Sequence, residues 1–250
     1  MTMDRCFLRL LSGVALLMAV GLCGFDNTGS VRAEEMNFLD EAQGSVAGED
    51  FEQDPWEPYN DNMFWFNRQF DRFLLKPVAT GYDAILPDPV QRSIKNALDN
   101  LAVVRRLVNN ILQLKLGGAG REVARFTINS TIGVAGLFDV AKDGFGIEQS
   151  DEDTGQTLGV YGVGPGPYLI LPFLPPMTVR DGIGLAADGA MNPLNYFIPF
   201  AATAGTYGTY AVNERSLNLD KFERVEETVV DLYSAVRNAY LQRRAAAIKE

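Results

Sequence analysis

The chain predicts an all-α fold, on three observations. Apolar residues recur at three- and four-residue steps through most of the length after residue 54. Capping residues and prolines stand where those runs begin and end. Strict two-residue alternation, the mark of a half-buried strand, is scarce. One stretch departs from the helical pattern. Between Thr154 and Asn213 only Arg180, Asp181 and Asp188 are charged, where about fifteen charges would be ordinary for sixty residues of a soluble domain. Residues 154–179 carry none, and they hold five glycines and five prolines. That density of breakers cannot sustain the ~20-residue apolar helix that crosses a bilayer. Backbone this irregular must be covered by protein or line a cavity, because bare amide groups cannot face lipid. The stretch is therefore either a buried loop of an ordinary core or a segment lying in or against a membrane.

In chain order, the N-terminus comes first. Arg5 and Arg9 precede an apolar run from Phe7 to Leu22, and Val31-Arg32-Ala33 offers small residues at the positions a signal peptidase reads. Residues 1–33 are thus expected to be a cleaved export signal. Cys23 is the competing lipidation site, and Leu22 directly before it argues against that use. Residues 34–53 are read as an acidic, flexible linker: eight acids and no base lie between Glu34 and Asp54. The body that follows is nearly neutral, so a nucleic-acid partner is disfavoured.

The folded domain is expected over 54–250. Asp54-Pro55-Trp56-Glu57 has the form of a helix start, with an acid at the cap, proline next and glutamate three on. Tyr59, Met63, Phe66, Phe70 and Phe73 form one apolar stripe, Phe64 and Trp65 fall outside it, and Pro77 is expected to close the helix. Asp88-Pro89 starts a second helix by the same logic. A third is expected over 103–116, ended by Gly117-Gly118, with Val104, Leu107, Val108, Ile111 and Leu112 opposite Arg105, Arg106, Asn109, Asn110 and Gln113. A fourth runs over 121–131 and sets Arg125 and Asn129 on one face, four residues apart. A glycine-punctuated corner and an exposed acidic loop at 146–153 follow. Within the uncharged region, 158–161 and 168–171 are candidates for short extended pieces, and Thr178 can cap a short helix ending near Gly189. Residues 201–210 show no assignable pattern. One long C-terminal helix is expected over 219–248, with Arg237, Arg243, Arg244 and Lys249 suited to its dipole.

Composition excludes several chemistries. The chain has no histidine, and its two cysteines, Cys6 and Cys23, precede the expected cut. Disulfides, Cys/His zinc sites and Ser-His-Asp or Cys-His nucleophiles are then unavailable to the mature protein. Gly162-Val-Gly-Pro-Gly-Pro is not a phosphate loop, since prolines replace the backbone donors and no Gly-Lys-Ser/Thr follows. A non-enzymatic role is favoured.

DPWEPYNDNMFWFNRQFD (54–71), RFTINSTIGVAGLFDVA (125–141), GQTLGVYGVGPGPYLILP (155–172), TVRD (178–181) and DLYSAVRNAYLQRR (231–244) resemble the MlaA/VacJ family, in order and over nearly all of 54–244. The resemblance implies a ring-like bundle of amphipathic helices embedded in the inner leaflet of the Gram-negative outer membrane, at its periplasmic face. It implies an amphipathic channel that takes misplaced phospholipids from the outer leaflet, association with a trimeric porin, and transfer to a soluble periplasmic lipid carrier. No cofactor is used and no bond is broken. Candidate channel and rim residues are Phe66, Asn67, Arg125, Asn129, Tyr161, Gly162, Gly164, Gly166, Tyr168, Arg180 and Asp181. Trp65, Tyr161, Tyr168 and Tyr196 are candidates for marking interfacial depth. Typical family members are lipoproteins, and the poor site at Cys23 departs from that pattern. The alternative is a structural protein whose apolar region only docks a porin.

Overall fold

Asp54 does not cap the first helix: it stands two residues before the cap position, which Trp56 occupies without a side-chain cap. Its carboxylate accepts from the Trp56 N–H at 2.9 Å, and helix α1 (Glu57–Phe70) follows. The structure, a computed structural model, describes residues 54–249. The expected export signal, the acidic linker, Cys23 and Ala33 lie outside the described residues.

Pro77 does not close the first helix. The chain passes through a π-helical turn (Asp71–Leu75) directly into α2 (Lys76–Ile85). In a regular helix the Pro77 ring would strike the carbonyl four residues back. Here the turn widens, with the Lys76 N–H reaching back five residues to the Asp71 carbonyl, and the chain continues. Helix α3 (Asp88–Leu101) starts after Pro87 with no side-chain cap, so Asp88 sits in the first turn instead of capping it. Helix α4 (Val103–Leu112) ends earlier than expected, because Leu114 turns left-handed at φ 59°. The glycine pair that was to stop it lies inside α5 (Leu116–Thr131). There Gly118 lets α5 approach α4: an added Cβ would stand 1.8 Å from the Asn110 Oδ1.

A turn at 132–139 leads to α6 (Val140–Phe145), capped by Asp139. The acidic loop after it is not simply exposed. Ser150 is buried, Glu152 pairs with Lys115 at 2.7 Å, and Asp153 caps α7 (Thr154–Val160). Residues 158–161 are therefore helical or turn, not extended. The second expected extended piece exists as β1 (Tyr168–Leu169), antiparallel to β2 (Met177–Thr178), with Tyr168 opposite Thr178. Thr178 caps α8 (Val179–Met191) through the Asp181 N–H at 3.3 Å. After a single turn, α9 (Leu194–Phe197), the region without an assignable pattern forms α10 (Phe200–Leu217). The expected single C-terminal helix is two, α11 (Leu219–Thr228) and α12 (Leu232–Lys249). Extended Val229 breaks it, and Asp231 restarts it by accepting from the Ser234 N–H at 3.2 Å.

The helices neighbour one another in a closed cycle. From α1 the chain continues into α2, which packs on α10. That helix packs on α3, α3 on α4, α4 on α7, and α7 on α12. The cycle closes where Tyr233 of α12 meets Phe64 of α1 edge-on, with ring centroids 5.8 Å apart, and donates to Asp54 at 2.5 Å.

The medium inside this cycle is inverted relative to a soluble domain. Among the described residues, 25 buried side chains are polar or charged and 12 are hydrophobic, while 30 large hydrophobic residues are exposed. In α4 the buried residues are Val103, Arg106, Asn109 and Asn110, while Val104, Ile111 and Leu112 face out. In α5, Glu122, Arg125 and Asn129 face in, and Val123 and Phe126 face out. Water-soluble monomers do not expose apolar surface on this scale. No described helix is long and apolar enough to cross a membrane.

Candidate functional site

The uncharged glycine- and proline-rich segment is held by two asparagines of α1, seven residues apart and so on one face. Asn60 donates to the Tyr168 carbonyl at 2.9 Å and accepts from the Ile170 N–H at 2.8 Å. Asn67 donates to the Leu171 carbonyl at 2.9 Å and accepts from the Phe173 N–H at 2.8 Å. Each amide thus binds the backbone of the segment through one donor and one acceptor. Phe173 is left-handed at φ 63°, a strained conformation for an aromatic residue. Its ring is gripped edge-on by Phe66 and Phe70, at 5.4 and 4.8 Å between centroids. Asn67 and Phe66, two of the expected rim residues, therefore grip the segment between Leu171 and Leu174.

The other end of the segment is tied by buried charge. Asp181 receives Arg180 Nε at 3.0 Å, Arg244 Nη2 at 2.8 Å and the Thr178 hydroxyl at 2.8 Å, and also accepts from the Tyr240 hydroxyl. Arg244 reaches on to Asp153 at 2.5 Å, joining the start of α7 to the start of α8 through α12. Backbone bonds complete the tie: Val179 and Arg180 donate to the Pro167 and Pro165 carbonyls, each at 3.1 Å. Burial by itself would raise the Asp181 carboxyl, but the hydrogen bonds and charge of Arg244, with Tyr240 and Arg180, outweigh it and hold the group below its ordinary value. Burial and the Asp181 charge together push the Tyr240 hydroxyl well up, so it remains a donor.

Between these two anchors the segment turns. Gly162 and Gly166 take φ of 85° and 67°, which side chains disfavour, and around Gly164 there is open space. Tyr161 is exposed and donates to the Leu112 carbonyl at 2.6 Å. Tyr168 is buried against Tyr233 and Tyr240 and does not stand at a surface. Trp65 and Tyr196 are exposed.

Arg125 and Asn129 belong to a second cluster. Arg125 pairs with Asp139 at 2.8 Å and donates to the Ile147 carbonyl, while Asn129 donates to Asp139 at 2.8 Å and accepts from the Ala141 N–H at 2.9 Å. Burial raises the Asp139 carboxyl and these partners lower it further than burial raises it. The pair fixes the corner around α6 and borders a polar cavity of about 20 Å³ shared with Asn96, Asn100 and Arg106. A third cluster joins Arg106 to Glu122 at 2.6 Å, and Glu122 to the Ser150 N–H at 2.8 Å. Nearby, Asp188 accepts the Thr154 hydroxyl at 2.6 Å and the Asn109 amide at 3.2 Å. Burial raises its carboxyl, and Thr154 and Arg105 only partly offset that.

Sequence reasoning missed Asn60, Asp153, Phe173, Tyr240 and Arg244. The seven-residue spacing of Asn60 and Asn67 was the available signal for the first. Arg244 read as a dipole-matched charge, because its partners lie 63 and 91 residues away. Among the described residues no group of three His, Cys, Asp or Glu side chains is placed to hold a metal.

Helices that close into a cycle, bury their polar faces and turn apolar faces outward define a membrane-surface protein with a polar interior. The chain belongs to the MlaA lipoprotein family, whose pattern matches residues 52–247. It is 33% identical over 193 residues to the intermembrane phospholipid transport system lipoprotein MlaA of Escherichia coli, covering 76% of each chain. It is 31% identical over 243 residues to a protein of Rickettsia conorii, covering 94% of each. Its fold superposes with a TM-score of 0.70 on a solved structure described as the "Structural basis for maintenance of bacterial outer membrane lipid asymmetry", at 32% identity, covering 79% of this chain and all of that one.

Proposed function

We propose that this protein moves phospholipid at the periplasmic face of the outer membrane. It takes misplaced lipid from the outer leaflet and passes it to a soluble periplasmic carrier, without breaking a bond. The inverted distribution of polarity carries this reading: the outer surface suits hydrocarbon, and the interior suits a headgroup. A lipid headgroup pays several kcal/mol to enter bare hydrocarbon, roughly 2–7 per unpaired polar group. A cycle of helices lined by Asn, Arg, Asp and Glu side chains and greasy outside lowers that barrier while leaving the acyl chains in contact with lipid. The segment between Gly162 and Leu174 forms the rim of the path, held by Asn67 and Phe66 at one end and by Arg180 and Asp181 at the other. Arg125 and Asn129 keep the polar wall of α5 in shape. A trimeric porin supports the protein in the membrane, and anchoring follows from the apolar belt.

Deleting the gene is expected to raise phospholipid exposed on the cell surface and sensitivity to detergent, both restored by the wild-type copy. Unchanged surface phospholipid in a clean deletion would overturn the proposal.

A further inference from the structure

Helix α11 is built unlike the rest of the molecule. Six of its ten residues are charged: Asp220, Lys221, Glu223, Arg224, Glu226 and Glu227. Among the described helices of ten residues or more, it is the one that buries no residue. Packing of an apolar face, which supplies most of the stability of a helix in a fold, therefore contributes little to its seat. Two ion pairs place it instead. Glu226 accepts from Arg68 Nε of α1 at 2.8 Å, and Glu223 pairs with Lys76 at the start of α2 at 2.7 Å. Between them Phe222 lies under the Arg215 guanidinium, 4.4 Å from the ring centroid. Arg215 is buried and held by two bonds to Asp71 in the π-helical turn, at 2.8 and 3.0 Å. The helix thus straddles the joint between α1 and α2. The four side chains of the ion pairs are a third to a half exposed, so the pairs are weak and are screened by salt.

The connections of α11 allow it to swing. Asn218 precedes it without a side-chain cap, Val229 after it is extended, and Val230 is fully exposed. Three residues further on, Tyr233 closes the helical cycle against Phe64 and Asp54. The limb formed by α11 and α12 is therefore bound to α1 at two places, Tyr233 and Glu226. We infer that α11 is a salt-sensitive latch on the seam of the cycle. It docks across the α1–α2 joint while its ion pairs are formed. When they are screened it leaves as a unit, turning about Asn218 and the Val229–Val230 pair, and Tyr233 is left to hold the seam. The inference concerns how the cycle is fastened and does not depend on what the protein carries.

The test is hydrogen exchange read by mass on the full chain in nanodiscs, at low salt and in about 0.5 M sodium chloride, where the screening length is about 4 Å. Amides of 223–228 are expected to exchange about fivefold faster at high salt, the effect of losing two exposed ion pairs. A smaller rise is expected over 233–236, beside the seam. Amides of α5 should not respond, because the Arg106–Glu122 pair beside them is buried. Arg68→Glu should reproduce the faster exchange of α11 at low salt, and combining it with Glu226→Arg should restore the slower rate. Exchange of α11 that is equal in both salts overturns the inference, and so does a double variant that recovers no protection. An equal rise over α5 would show general loosening in place of a latch and overturns it too. Exchange over 223–228 at low salt as fast as in an unstructured peptide would show that the helix does not dock, with the same consequence.

Discussion

Replacing Asn67 by alanine isolates the grip of α1 on the rim. The substitution deletes two well-formed hydrogen bonds, to the Leu171 carbonyl and from the Phe173 N–H. Each contributes about 1 kcal/mol net, and leaving the partly buried partners unpaired adds about another. Alanine recovers roughly 0.5 kcal/mol by its better helix propensity within α1. The balance is a local loss of about 2–2.5 kcal/mol. Asn67 Oδ1 accepts the N–H of left-handed Phe173, so that turn loosens when Asn67 goes. Native-state hydrogen exchange reads this directly: at 1.4 kcal/mol per factor of ten, the Phe173 amide should exchange about 30-fold or more faster. Amides of the α5–α6 corner, held by Arg125 and Asn129, should not change. Asn67→Asp keeps the acceptor for Phe173 but loses the donor to Leu171, and should fall between the two. A Phe173 amide within twofold of wild type in the alanine variant would refute the clamp.

Other consequences follow from the same geometry. Arg244→Met takes from Asp153 its cation and leaves Asp181 with Arg180, Thr178 and Tyr240, and should cost about 3–5 kcal/mol in denaturant unfolding; a loss under about 1 kcal/mol would contradict the buried tie. The carboxyls of Asp181 and Asp139 lie below their ordinary 3.8, so the stability they contribute is present above that value and is lost as pH falls through their folded values. Asp188 lies above 3.8, so it penalises folding increasingly as pH rises from that value upward, and Asp188→Asn should stabilise the protein at pH 7 and lose that advantage near pH 4. Equal midpoints for variant and wild type at both pH values would show the burial cost to be absent. Gly184→Ala sets a Cβ 2.3 Å from the Gly155 nitrogen, where backbone meets backbone between α7 and α8, and overpacking there should cost about 1–3 kcal/mol in thermal unfolding; an unchanged Tm would show that the two helices are not in close contact.

Much of the helical framework was legible, because caps and periodicity are local. Thr178 caps α8 as expected, and the stripes of α4 and α5 lie where the three- and four-residue steps put them. Direction was not legible. A stripe of alternating faces says that one face is polar, and the solvent decides which one is inside. In α4 the polar face is buried, an outcome that periodicity alone does not distinguish from the reverse. Boundaries failed where tertiary bonds override local signals. The π-helical turn absorbs Pro77, left-handed Leu114 ends α4 before the glycines, and Asp231 restarts a helix that β-branched Val229 and Val230 interrupt. Helix α10 stayed unread because its small and aromatic residues form no stripe. Of the expected site residues, Phe66, Asn67, Tyr168, Arg180 and Asp181 gather on the uncharged segment, whereas Arg125 and Asn129 serve a separate corner. Long-range partners such as Arg244 and Asp153 have no signature in spacing.

The central claim is that the apolar outer faces meet lipid and the polar faces do not. The chain has two tryptophans, Trp56 and Trp65, and Trp65 is 61% exposed on α1. In a Trp56→Phe background, Trp65 is the sole reporter. Reconstituted with lipids brominated along the acyl chain, its fluorescence should be strongly quenched and nearly insensitive to iodide in the buffer. Quenching by iodide with no response to brominated chains would place that face in water and contradict the account.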